Sequence, residues 1–221
     1  MKIKNVVLDL GGIIISLDYN EMFRQFSELL DMEVNKDNVF DIIGDDLYKI
    51  EKNEVSIEGF IWKIQSIKGG NVDPGKIIKA FNSILLNVRP EIFPLLKELK
   101  KKYKLFLLSN TNEIHVRKFL IDKLEKAHNI RNEDWQAFFD TVYYSHDLGM
   151  RKPDHEIYHK VIELESLKPS ETIFIDDTIE NVTAAIECGW HSVQHDPTLK
   201  IEEHIYQYIE DCELLERNRT E

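Results

Sequence analysis

The segment Val6-Val7-Leu8-Asp9-Leu10-Gly11-Gly12-Ile13 indicates the architecture of this chain more clearly than any other stretch. An apolar run without alternation is typical of a strand buried on both faces of a parallel sheet. Asp9 would then lie at the carboxyl end of that strand, where open α/β sheets bind ligands. The two glycines would let the backbone approach a ligand closely. A carboxylate placed there can serve as a nucleophile or a metal ligand; the alternative is an ordinary aspartate in a turn.

Strands and helices alternate along the rest of the chain, apart from one long helical segment. Apolar runs predict further strands at residues 104–108, 139–144, 172–175 and 191–194. Periodic apolar residues predict helices at residues 90–102, 114–127, 154–165, 180–188 and 200–221. This order predicts an α/β fold in which a parallel sheet is joined by right-handed crossovers.

Residues 18–86 form the exception, because their pattern predicts helices and no strand. The predicted helices lie at residues 19–31, 37–50, 56–68 and 76–86. We therefore predict a core domain of residues 1–17 and 87–221, with an all-helical cap domain of residues 18–86 inserted after the first strand. An insertion here would lie over the carboxyl edge of the sheet, which suits a lid that excludes water and selects substrates. An additional packing layer is the alternative.

The composition excludes several classes of partner. The 221 residues carry a formal net charge of −12, and 43% of them are hydrophobic, which allows a sizeable core. The acidic balance argues against binding to nucleic acid and to anionic membrane surfaces. The sequence has two cysteines and no recognisable signal peptide or long apolar run. We expect a cytoplasmic protein; its oligomeric state does not follow from the sequence.

Polar side chains follow four of the predicted elements and should meet at one edge of the sheet. They are Asp9, the pair Ser109-Asn110, Lys152 in the loop before a helix, and the pair Asp176-Asp177. Because the carboxyl ends of parallel strands share an edge, this convergence follows from the topology.

The acidic members of this set are suited to magnesium. Asp9 and Asp177 together offer the hard oxygen ligands that Mg²⁺ prefers, and Asp176 could share the ion or support it from behind. The alternative for Asp176 and Asp177 is capping of the next helix, because aspartate is favoured at helix N-termini.

The remaining members are suited to a phosphate group. The Ser109 hydroxyl and the Asn110 backbone N–H lie where a helix begins, which favours anion binding; a plain helix cap is the alternative. Lys152 precedes a proline, so its backbone should be extended and its side chain could be held toward a cleft. There the ammonium would balance carboxylates and a phosphate. The alternatives are a solvated lysine, or Arg151 in its place.

Four motifs resemble those of the haloacid dehalogenase-like hydrolase superfamily. Asp9-Leu10-Gly11-Gly12 is similar to the first motif, Leu108-Ser109-Asn110-Thr111 to the second, Gly149-Met150-Arg151-Lys152-Pro153 to the third, and Phe174-Ile175-Asp176-Asp177 with Asn181 to the fourth. The helical segment resembles the small cap of this superfamily, and the remainder its Rossmann-like core. The second and third motifs are similar to those of bacterial hexose-1-phosphate phosphatases and of the phosphatase domain of soluble epoxide hydrolase.

The resemblance implies a Mg²⁺-dependent phosphatase that hydrolyses a small phosphorylated metabolite, such as a sugar phosphate. It implies that Asp9 attacks phosphorus and forms an aspartyl-phosphate, and that Lys152 neutralises charge on nucleophile and phosphate. It also implies that Ser109 and Asn110 hold the phosphoryl group. The implied Mg²⁺ ligands are Asp9, the Gly11 carbonyl and Asp177, with Asp176 nearby.

One residue departs from the pattern of the resembled phosphatases. Many of them carry a second aspartate, the general acid–base, at the position of Gly11. Such a group contributes roughly 10²–10⁴-fold to a rate. Asp18 is a candidate substitute. Two alternatives therefore stay open: a non-catalytic protein that binds a phosphorylated ligand or a partner, and a 2-haloacid dehalogenase, whose chemistry needs no metal.

Overall fold

The computed structural model describes the backbone of residues 2–220 and the side chains of residues 2–215. Its strands are β1 (Asn5–Leu8), β2 (Ile15–Leu17), β3 (Leu85–Val88), β4 (Lys104–Ser109), β5 (Thr141–Tyr144), β6 (Thr172–Asp176) and β7 (His191–Gln194). Five of them form a sheet in the order β5-β4-β1-β6-β7, and every neighbouring pair is parallel. The predicted α/β fold with a parallel sheet is confirmed.

Helices cover both the faces of this sheet and the segment after β2. They are α1 (Tyr19–Leu30), α2 (Val39–Ile42), α3 (Asp46–Lys49), α4 (Ile57–Lys68), α5 (Pro74–Asn82), α6 (Ile92–Lys102), α7 (Glu113–Lys118), α8 (Lys126–His128), α9 (Asn132–Gln136), α10 (Ser145–Leu148), α11 (His155–Glu165), α12 (Ile179–Glu187) and α13 (Ile201–Thr220). Short 3₁₀ turns occupy Ile50–Lys52 and Pro169–Glu171, and a π-helical segment occupies Phe119–Glu125.

The first strand is buried along its whole length, as its unbroken apolar run predicts. Val6, Val7 and Leu8 have no exposed surface, because β1 lies at the centre of the sheet and helices cover both faces. The side chains of β1 alternate between the two sides, so that Val6 and Leu8 join one buried cluster and Val7 the other.

The helical segment has a buried cluster of its own. Its largest buried members are Phe26, Phe60 and Phe81. One buried member, Ile114 of α7, comes from outside residues 18–86. The Phe60 and Phe81 rings lie 4.7 Å apart between their centroids. The segment is therefore held together by apolar contacts of its own.

The expectation of an all-helical segment of residues 18–86 was wrong at its carboxyl-terminal end. The last predicted helix stops at Asn82, and β3 then pairs antiparallel with β2 to form a two-stranded ribbon. This ribbon lies where the chain leaves and re-enters the sheet domain, and its two strands are too short to carry a clear periodicity. The helix predicted at residues 37–50 is also divided, because Gly44 between α2 and α3 has a left-handed backbone angle of φ +79°.

The acidic carboxyl-terminal segment packs onto the sheet domain. Ile201, Ile205, Ile209 and Cys212 of α13 are buried in the same cluster as Val6 and Leu8. Within residues 2–220, no helix combines the length and the apolar character needed to cross a membrane.

Candidate active site

Asp9, Asp176 and Asp177 meet at the carboxyl edge of the sheet, as the topology predicts. The parallel register of β1 and β6 pairs Leu8 with Ile175, and the Asp9 N–H donates to the Ile175 carbonyl at 3.0 Å. One carboxylate oxygen from each aspartate lies within 4.8 Å of the others. Among the residues whose side chains are described, this is the one group of three or more acidic, histidine or cysteine ligands with the spacing of a metal site.

Lys152 lies between two of these aspartates. Its ammonium nitrogen is 2.9 Å from Asp9 Oδ1 and 2.6 Å from Asp176 Oδ2, and it donates to the Leu108 carbonyl at 2.9 Å. Burial lowers the pKa of this ammonium, but the charges of Asp176 and Asp9 outweigh burial and raise it. The lysine is therefore a fixed positive charge beside Asp9. Arg151, the alternative considered from the sequence, directs its guanidinium elsewhere, to Glu51.

The Asn110 side chain holds the backbone of Lys152. Its amide nitrogen donates to the Lys152 carbonyl at 2.8 Å, and its oxygen accepts from the Lys152 N–H at 2.8 Å. Sequence reasoning assigned only the Asn110 backbone to a phosphate and missed this role, because it depends on a residue 42 positions away. Ser109 is the buried last residue of β4, next to the loop that follows Asp9.

Asp176 and Asp177 differ in how far their oxygens are already engaged. Asp176 is fully buried and accepts from Asn181 at 3.0 and 3.1 Å and from the Thr178 N–H at 2.8 Å, besides its contact with Lys152. Asp177 is partly exposed and accepts from the Thr178 hydroxyl at 3.3 Å. Asp177 therefore has more capacity left for a metal ion than Asp176, whose hydrogen bonds fix Lys152.

Burial, together with the charges of neighbouring carboxylates, raises the pKa of two of the three aspartates. Burial raises the pKa of Asp9 to about 7; Lys152 opposes this rise, and the charges of Asp176 and Asp177 add to it. Burial and the charge of Asp176 also raise the pKa of Asp177. A bound divalent cation would relieve this repulsion, and oxygen donors of this kind fit Mg²⁺.

Gly11 supplies no acidic side chain here, and Leu17 lies in the direction that a side chain at this position would take. A Cβ atom at position 11 would lie 2.8 Å from Leu17 Cδ1, so an aliphatic side chain fills that direction. Asp18, the candidate substitute, is the N-cap of α1, and its side chain accepts from the Glu21 N–H at 2.9 Å. The surroundings of the missing carboxyl are thus apolar, and Asp18 is engaged in capping.

Comparison with known proteins gives consistent matches over most of the chain. The family described as haloacid dehalogenase-like hydrolase matches residues 3–189. A D-ribitol-5-phosphate phosphatase from Bacteroides thetaiotaomicron is 26% identical, over 87% of this chain and 91% of the relative. A sesquiterpene phosphatase from Aspergillus oryzae is 26% identical, over 84% of this chain and 86% of the relative.

A solved structure supports the same grouping. It is a family enzyme from Bacteroides thetaiotaomicron, as the wild-type protein in complex with magnesium and inorganic phosphate. It is 30% identical, with a TM-score of 0.78, and the match covers 90% of this chain and 96% of the other.

Proposed function

This chain belongs to the haloacid dehalogenase-like hydrolases and is an enzyme, and we propose that it is a Mg²⁺-dependent phosphatase for a small phosphorylated metabolite, a sugar or sugar alcohol phosphate. The observation that carries the proposal is the placement of the Lys152 ammonium between Asp9 and Asp176, with Asp177 beside them. The similarity to two phosphatases with different substrates supports the reaction more strongly than it supports any one substrate.

In the proposed reaction Asp9 is the nucleophile. Its carboxylate forms a bond to phosphorus while the bond from phosphorus to the leaving-group oxygen breaks, and that oxygen takes up a proton. Water then attacks phosphorus, which releases inorganic phosphate and regenerates the Asp9 carboxylate. Phosphoryl transfer depends mainly on positioning and on neutralisation of charge, which a buried cluster of this kind is able to supply.

The other residues hold the reacting groups in place. Lys152 offsets negative charge on Asp9 and on the phosphoryl group, and Asn110 fixes the backbone of Lys152. The Ser109 hydroxyl and the Asn110 N–H would hold the phosphoryl oxygens. Mg²⁺, when bound, neutralises phosphoryl oxygens and orients them. Asp9, the Gly11 carbonyl and Asp177 would hold it, with Asp176 behind them.

A second candidate function is binding of a phosphorylated ligand or a partner without turnover. The observation that favours it is Gly11, which has no carboxyl, at the position of the usual general acid–base, with the apolar side chain of Leu17 beside it. A 2-haloacid dehalogenase is the weaker alternative, because metal-free chemistry gives no purpose to the group of three carboxylates.

Phosphate release from a panel of phosphorylated metabolites, with Mg²⁺ and with EDTA, separates these candidates. The proposal predicts Mg²⁺-dependent release from a few compounds, and no release by Asp9→Asn. Stabilisation by a phosphorylated compound without release would favour the binding protein instead. Halide release from 2-chloropropionate that persists in EDTA would favour the dehalogenase.

A further inference from the structure

One ion pair links the helical segment to the loop that carries Lys152. The Nε atom of Arg151, the residue directly before Lys152, donates to Glu51 Oε2 at 2.9 Å. The guanidinium carbon also lies 4.1 Å from the centroid of the Tyr48 ring. Of the ion pairs between described side chains, this is the one that joins residues 18–86 to the rest of the protein.

The pair is largely withdrawn from solvent, yet it can still be reached. The side chains of Arg151 and Glu51 are 18% and 22% exposed. Burial raises the pKa of Glu51, and the charges of Arg151 and Lys152 act against that rise. Glu51 is therefore close enough to Lys152 to be influenced by the ammonium that contacts Asp9.

The Tyr19 hydroxyl is influenced both by Glu51 and by the carboxylates of the site. Partial burial, followed by the charges of Asp177, Asp9 and Glu51, raises the pKa of Tyr19 to about 12, although 54% of this residue is exposed. Its hydroxyl thus stays protonated and lies within the field of both Glu51 and the carboxylate cluster. The contacts of Arg151 with Glu51 and Tyr48 therefore bring this part of the helical segment against the residue that directly precedes Lys152.

This set of side chains has the chemistry of a site for hydroxyl groups. A carboxylate accepts hydrogen bonds from hydroxyls, and a planar guanidinium donates several in a fixed geometry. Arg151 donates to Glu51 through Nε. Its two Nη groups make no hydrogen bond to a described residue and remain as donors. The negative charge of Glu51 would at the same time repel a second anionic group on the substrate.

We propose that Glu51 and Arg151 are the specificity-determining residues of this enzyme, and that they select a neutral polyhydroxylated leaving group, a polyol or sugar monophosphate. The inference rests on the proposed phosphatase function. Hydroxyls of the leaving group bind across the Glu51–Arg151 pair while the phosphate lies toward Lys152. Substrates with a carboxylate or a second phosphate at the far end are disfavoured by Glu51.

Three phosphate esters and two variants test this inference. The esters are D-ribitol-5-phosphate, phenyl phosphate, which has no hydroxyl group, and phosphogluconate, which carries a carboxylate at the far end. Arg151→Lys keeps the charge and loses the planar donor geometry, whereas Glu51→Gln keeps the shape and loses the charge. The quantity measured is kcat/KM for each ester in Mg²⁺, expressed as ratios between esters.

We expect Arg151→Lys to lower the ratio of ribitol phosphate to phenyl phosphate by about 10- to 100-fold, the range of lost hydrogen bonds to charged groups. Glu51→Gln should raise the ratio of phosphogluconate to ribitol phosphate by about tenfold or more. Matched controls are Arg89→Lys, in the ion pair with Glu202, and Glu54→Gln, in the ion pair with Lys52. Both controls should leave the ratios within about twofold.

The outcomes separate this inference from the function on which it rests. If Arg151→Lys and Glu51→Gln change kcat/KM for all three esters by one common factor, the ion pair only holds the helical segment in position. The inference is then wrong. Release from phenyl phosphate but not from ribitol phosphate by the wild type would retain the phosphatase and overturn the inference. Release from none of the three esters, and from no compound of the panel of phosphorylated metabolites, would contradict the proposed function itself.

Discussion

Gly12 is required for two separate reasons, its backbone angle and its closeness to Asp177. Its φ of +69° lies in the left-handed region, which disfavours any side chain. A Cβ atom at this position would also lie 2.4 Å from Asp177 Oδ2 and 2.9 Å from Asp177 Cβ. The side chain of Asp177 can occupy its place only because residue 12 is a glycine.

We therefore expect Gly12→Ala to displace Asp177 and to weaken Mg²⁺ binding by at least about tenfold, measured by isothermal titration calorimetry. Gly69→Ala is the matched control, because Gly69 has the same φ of +69° and no atom within 4 Å of the added Cβ. Each substitution should lower the free energy of unfolding by about 1–2 kcal/mol through the backbone angle. Equal Mg²⁺ affinity in the two variants would contradict the role given to Asp177.

The positions of single residues could be predicted from the sequence where those residues follow the end of a predicted strand. Asp9, Asp176 and Lys152 meet as predicted, because parallel strands bring their carboxyl ends to one edge. The contact of Arg151 with Glu51 could not be predicted, because it joins residues 100 positions apart across two separately packed parts of the chain. The side-chain role of Asn110 was missed for the same reason.

At the scale of elements, α7 is joined to α5 by a half-buried histidine. His115 Nε2 lies 3.2 Å from the Phe81 carbonyl, and His115 Nδ1 lies 3.1 Å from the side-chain nitrogen of Asn112. The neutral ring satisfies both contacts when Nε2 carries the proton, since Nδ1 then accepts from Asn112. Burial lowers the pKa of His115 to about 4.

This lowered pKa predicts that acid weakens the contact between α7 and α5. The unfolded chain takes up a proton near the ordinary histidine pKa of about 6.5, whereas the folded protein resists it until about 4. Stability is therefore lost as the pH falls through that window, by about 1–2 kcal/mol near pH 5. His115→Gln should flatten the dependence of the free energy of unfolding on pH, measured by urea denaturation.

His191→Gln is the control, because His191 Nε2 also lies 3.0 Å from a backbone carbonyl, but that hydrogen bond is exposed to solvent whereas the one made by His115 is partly buried. An unchanged pH dependence in His115→Gln would show that burial of this ring does not contribute to acid sensitivity.

Periodicity predicted the long elements well and the short ones poorly. The helix predicted at residues 56–68 is found as α4, with Ser56 as its N-cap and Gly69 as its C-cap. The β2–β3 ribbon was missed, because strands of three and four residues carry too little pattern and are defined by each other. The acidic composition of the last helix also concealed the buried stripe of Ile201, Ile205 and Ile209.

At the scale of the whole molecule, the charges are arranged so that one positive group lies deep in the site of an acidic protein. The formal net charge of −12 would repel a phosphorylated substrate at long range. Lys152, and a divalent cation at the three aspartates, would oppose that repulsion locally. We infer that turnover depends on the metal for substrate binding as well as for chemistry.

The most direct test of the account is to look for a covalent phosphoryl group on Asp9 during turnover. The wild-type enzyme is mixed with Mg²⁺ and an intact phosphate ester that it is known from the panel to hydrolyse. The reaction is quenched in acid within the first turnover, and the peptides of the enzyme are analysed by mass spectrometry. The account predicts a phosphoryl group on the peptide that contains Asp9, and none in the presence of EDTA. A phosphoryl group on any other residue, or phosphate release by Asp9→Asn at the wild-type rate, would contradict it.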